Sequence, residues 1–183
     1  MDKQQLNQTL LTNHREFQHY LASLSEAQLA TSKNNKWNAV QQLEHICLSV
    51  KPVRLAFTVP KFVLRWWFGK ANRASRTFEV LISKYHTKLQ AGGRATGRFI
   101  PTSDFKNYQK LNHSLTNEVA KLASKLNRFS EAELDLYILP HPLLGKLTLR
   151  EMIYFTCYHV QHHQELVKQN LHYARCQRRR RYG

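Results

Sequence analysis

The sequence predicts an all-α fold, a bundle of four long helices with one long connection, and three observations lead there. Apolar residues recur at spacings of three and four along four separate segments. No alternating apolar–polar run is bounded by hairpin turns, so no substantial sheet is expected. The chain has 183 residues, 42% of them hydrophobic, enough for a single core and too apolar for a disordered polymer. Only 6 Gly and 5 Pro exclude collagen-like and low-complexity architectures.

The first segment carries Leu6, Leu10, Phe17, Tyr20, Leu21 and Leu24 on one stripe. The second follows Trp37-Asn38-Ala39-Val40-Gln41, in which Asn38 caps the first turn and Gln41 reaches back to it. Its stripe is Val40, Leu43, Cys47, Val50, Val53 and Phe57, and Pro52 is expected to kink it or end it near residue 51. Ser103 or Asp104 caps the third, with Phe105, Tyr108, Leu111, Leu115, Val119, Leu122 and Leu126 on its apolar face. The fourth opens on Thr148-Leu149-Arg150-Glu151, a capping box flanked by the staple pair Leu147 and Met152, with Gly145 at the entry turn. Between the second and third helices lies a stretch too long for a bare loop. Phe78, Leu81, Ile82, Tyr85 and Leu89, ended by Gly92-Gly93, predict an extra short helix in that crossover. Residues 1–173 read as the bundle domain and 174–183 as a basic tail.

Lys and Arg total 28 against 12 acidic residues, a formal net charge of +16. Such a surface attracts nucleic acid, anionic lipid or acidic partners, yet no RNA-recognition, zinc-finger or helix-turn-helix signature accompanies it. Arg175 and Arg178 to Arg181 concentrate charge at the end, as a binding arm or a solvated tail. No segment is long and apolar enough to span a membrane; the most apolar window, Val59 to Phe68, is short and holds Lys61 and Arg65. Three widely spaced cysteines form no disulfide framework, and with no apolar leader a cytoplasmic location is expected. Cys47 and Cys157 read as small core hydrophobes.

Ten histidines remain to be explained. His159 and His163 are four apart on the core-facing stripe of the last helix, so both imidazoles project from one side. Such a pair suits Zn²⁺, Ni²⁺ or Fe²⁺; equally, two buried imidazoles could bond to backbone or to a tyrosine such as Tyr154. His45, about two turns into the second helix, is the natural third ligand if the helices align, and His162 is a second choice at the rim. Three protein ligands leave a position open, the arrangement of a catalytic site. His141, between Pro140 and Pro142, is a possible neighbour of the site. Glu44 and Glu165, each beside a ligand candidate, are weak candidates for a base. Phosphate-loop, nucleophile-elbow and His-Glu-x-x-His motifs are absent, and the glycines from Gly92 to Gly97 read as a turn.

Trp37 to His45 resembles the second-helix motif of the DinB-like superfamily. His141-Pro142-Leu143-Leu144-Gly145-Lys146-Leu147-Thr148, followed by His159 to His163, resembles the loop and last-helix motif of one branch of it. The similarity spans residues 5 to 171. It implies an up-up-down-down four-helix bundle, a divalent metal on His45, His159 and His163, and homodimerisation. Relatives include thiol-dependent S-transferases and metal-dependent hydrolases, so a small-molecule substrate or low-molecular-weight thiol is implied. The basic crossover and arginine tail depart from the family pattern. They keep a second reading open: a non-catalytic basic module for nucleic acid or an acidic partner, with structural histidines.

Overall fold

Three of the four bundle helices start where a short polar side chain replaces the missing helical partner of the first amides. Asp2 caps α1 (Lys3–Ala22) and Asn38 caps α3 (Ala39–Thr58), each through a reciprocal pair with the Gln three residues on. Ser25 does the same for the short α2 (Glu26–Ala30). The third bundle helix, α6 (Tyr108–Leu126), follows a 3-10 turn over Phe105–Asn107 that Asp104 caps. Ser103 is not the cap; its amide donates instead to Glu44. Thr148 and Glu151 exchange the two bonds of the capping box that opens α8 (Leu149–Tyr182). The computed structural model describes residues 1–32 and 36–182, with side chains through residue 173. The arginines of the basic tail, and Cys176, therefore lie outside the described side chains.

Among the described residues the fold is helical apart from an isolated Lys70–Tyr137 bridge and one hairpin, β1 (Ile138–His141) paired antiparallel with β2 (Gly145–Thr148) and reached through α7 (Glu131–Leu136). Gly145 takes φ +77° in its turn, which a side chain would strain. The core is one cluster, with Leu6, Leu10, Phe17 and Leu21 of α1 and Leu43, Val50 and Phe57 of α3 all buried. Leu115, Leu122 and Leu126 of α6 and Ile153, Val160 and Val167 of α8 complete it.

Helix directions follow from cross-contacts. Gln18 of α1 donates to Asn112 and Lys3 to Phe129, so α1 and α6 are antiparallel. Arg54 pairs with Glu118 and Arg128 reaches the carbonyl of Thr58, so α3 and α6 run parallel. His45 meets His159 while Asn170 donates to Trp37, so α3 and α8 are antiparallel. The order along the chain is up-down-down-up, which corrects the up-up-down-down order that the resemblance implies. The reason lies in the connections. Each parallel pair of successive bundle helices needs a crossover that returns along about 30 Å of helix. The stretch from 59 to 107 makes that return between α3 and α6, whereas the links before α3 and after α6 turn the chain back.

That crossover holds two helices where the apolar pattern predicts one, α4 (Lys61–Phe68) and α5 (Phe78–Gln90). Of the two outcomes expected at Pro52, an end near residue 51 does not occur: α3 passes through it to Thr58. Buried Val50 and Phe57 anchor the helix on both sides of the lost amide. No helix among the described residues is long and apolar enough to cross a membrane.

Candidate metal centre

Antiparallel α3 and α8 bring His45 level with His159 and, one turn further, His163. All three are 5–6% exposed. His159 Nε2 lies 3.3 Å from His45 Nε2 and 3.0 Å from His163 Nε2. One ligand nitrogen from each ring falls within 4.8 Å of the others, the geometry of a group that could hold a metal ion.

The opposite ring nitrogens fix the proton count. His45 Nδ1 sits 2.7 Å from the carbonyl oxygen of Phe99, which only accepts, so Nδ1 carries the hydrogen and Nε2 is a bare lone pair. His163 Nδ1 donates to Gln42 Oε1, and the Gln42 amide is oriented by its own donation to the Trp37 carbonyl at 3.4 Å. Its Nε2 is therefore a second bare lone pair. His159 Nε2 holds at most one proton to share between them, so two acceptors converge on a single donor. A cation resolves that conflict, and hydrogen-bonded Nδ1 atoms are how metal-binding imidazoles are oriented.

Protonation does not resolve it. Burial pushes the His159 and His163 pKa values well below the ordinary 6.5, and repulsion from neighbouring histidines adds to the shift. Burial also lowers that of His45, partly offset by the bond to Phe99. Three neutral imidazoles at neutral pH are the form a divalent ion needs.

The cluster lines a cavity of about 1340 Å³. Val50, Val53 and Phe68 form part of its apolar wall; among the described residues Lys36, Arg94 and Arg98 are its Lys and Arg, and no Asp or Glu lines it. Glu44 is not at the site: it accepts the amides of Thr102 and Ser103 at 2.7 Å and anchors the crossover beside α3. Glu165 pairs with exposed Lys168. Tyr154 sits elsewhere, within reach of the N-terminal amine and edge-on to Phe78. His162 lies outside the three, stacked on Tyr158.

Sequence reasoning could flag His141 but not its role. Its Nδ1 accepts the amides of Leu143 and Leu144 at 3.2 and 3.1 Å. The proton must then sit on Nε2, in a ring that lines the cavity and meets Phe155 edge-on at 4.3 Å. Burial lowers its pKa to about 4, so His141 is a neutral donor at pH 7. The motif His141-Pro142-Leu143-Leu144 holds the signal, since a hairpin tip offers free amides. Cys47 and Cys157 are buried free thiols, held protonated by burial that pushes both pKa values up to about 12.

No curated protein and no solved structure shows a significant match to the chain. The DinB superfamily matches it over residues 9–167, which takes in α3 and α6, parts of α1 and α8, and the three converging histidines. The chain belongs to the DinB superfamily.

Proposed function

We propose that this DinB-superfamily chain is a metal-dependent enzyme of the hydrolase or thiol S-transferase kind, with His45, His159 and His163 as ligands of one divalent ion (Zn, Ni or Fe). The supporting observation is the meeting of three Nε2 atoms that have at most one proton among them. A divalent ion there would supply Lewis-acid activation of a water or a low-molecular-weight thiol near neutral pH. The rest belongs to the chain's own residues. Phe99 and Gln42 fix the rings of His45 and His163 by holding their Nδ1 hydrogens. His141 offers a neutral Nε2–H toward the cavity, suited to an oxygen that gains negative charge. The apolar wall limits water, and a lining without carboxylates favours anionic substrates over cationic ones.

Metal analysis tests the reading. The wild type retains about one equivalent of divalent metal, and the His159→Ala/His163→Ala double variant retains none. Metal at a hundredfold excess over Kd stabilises the fold by about 2.7 kcal/mol. That raises Tm by roughly 5–10 °C in a chain of this size. Chelation removes the rise in the wild type and leaves the double variant unchanged. Equal metal content in the two proteins refutes the site.

A further inference from the structure

The most exposed large aromatics among the described residues share one short helix. On α4, Phe62 is 74% exposed, Trp66 81% and Trp67 60%. Phe62 and Trp66 stand one turn apart, opposite buried Leu64. Leu64 and Phe68 fasten the helix to the body, and Phe68 also lines the cavity. Exposed aromatics gathered on one helix in this way mark an interaction surface.

Charge identifies the receiver. From residue 45 to residue 78 the sequence has seven Lys and Arg and no Asp or Glu. Arg54, Lys61, Arg73 and Arg76 are neutralised by Glu118, Glu133 and Glu151. Arg65, between the aromatics, and Lys70, just past the helix, are exposed and have no ion pair among the described residues. Trp and Phe at headgroup depth, flanked by unpaired cations, are the chemistry of a helix lying in an anionic bilayer surface. A second copy of this chain would bring the same charge to the same patch and repel it. Stacking onto single-stranded nucleic acid calls for a groove with aromatic walls, whereas side chains 60–81% exposed wall nothing.

We infer that α4 is a peripheral membrane-docking element, which lays Phe62, Trp66 and Trp67 into the headgroup layer of an anionic phospholipid surface while Arg65 and Lys70 meet lipid phosphates. The inference does not depend on the metal centre.

Vesicle sedimentation of the full chain tests it, with phosphatidylcholine alone and with equimolar phosphatidylcholine and phosphatidylglycerol. The wild type sediments with the anionic vesicles, its tryptophan emission shifts to the blue, and added salt weakens binding. Phe62→Ser/Trp66→Ser/Trp67→Ser lowers binding by about tenfold or more, with helical content and metal content unchanged. Arg65→Gln/Lys70→Gln lowers it by about fivefold per cation removed, which keeps the test decisive if the aromatic variant folds poorly. Three results overturn the inference. One is wild-type binding by both variants, which would place contact elsewhere, such as the C-terminal arginines. Another is a concentration-dependent dimer that the aromatic variant alone abolishes, without vesicle binding. The third is retention on oligonucleotide but not on vesicles.

Discussion

Helix α8 buries polar groups in two places, and they are handled in opposite ways. At its start Glu151 is fully buried and every partner it needs is protein: Arg73 at 2.7 and 2.8 Å, the Arg76 amide at 2.8 Å and guanidinium at 3.1 Å, and the Thr148 amide at 3.0 Å. Burial alone would push its pKa up. The Arg73 guanidinium and the amides of Arg76 and Thr148 outweigh that and hold it below the usual carboxylate range. Two turns on, His159 and His163 have the reverse arrangement, with lone pairs turned toward each other and toward His45. A finished network holds structure; a network short of protons is one that could hold a cation. The difference teaches that burial of polar groups does not mark function, whereas the balance of donors and acceptors does.

The largest effect is expected at the finished network. Glu151→Ala removes a capping partner and leaves two guanidinium groups, 34% and 25% exposed, without their carboxylate. Chemical denaturation should show a loss of about 4 kcal/mol, with metal content per folded molecule unchanged. A loss under about 1 kcal/mol would mean the arginines simply rehydrate.

A smaller effect separates buried histidine from ligand. His14 is 1% exposed, donates from Nδ1 to the Leu10 carbonyl at 2.8 Å, and has no partner at Nε2. Burial lowers its pKa from 6.5 to about 4. Between those values the unfolded chain binds a proton that the folded chain refuses, so stability falls as pH falls. The loss reaches about 3 kcal/mol by pH 4. Denaturation midpoints from pH 7 to 4 should decline less steeply in His14→Leu than in the wild type; equal slopes would show that the ring is hydrated.

The smallest effect is on the open network's support. Gln42→Leu frees the Nδ1 hydrogen of His163 while sparing the ligand, and metal affinity should fall about 10- to 100-fold in a competition titration. Unaltered affinity would mean that packing alone orients the ring.

Much of this was legible in the sequence, for local reasons. Asn38, Asp104 and the Thr148–Glu151 box bond within a few residues of themselves, so spacing reveals them. The histidine pair at i and i+4 is visible for the same reason. What escaped depends on distant chain. Arg73 and Arg76 reach Glu151 across more than seventy residues, and the Phe99 carbonyl reaches His45 across fifty-four. Helix α4 shows in the sequence only as part of the apolar window Val59 to Phe68, because it is the distant packing of Leu64 on the core that decides which of its aromatics stay outside. At Pro52 the sequence leaves a kink and an end equally open, since the packing of Val50 and Phe57 that carries α3 past it is tertiary.

The central claim is that three imidazoles share one ion, and X-ray absorption of the zinc-reconstituted protein tests it most directly. The account predicts three imidazole nitrogens at about 2.0–2.1 Å, with a remaining light ligand that exchanges with solvent or thiol. Zinc bound by fewer than three imidazoles, or unchanged spectra in His45→Ala, would contradict it.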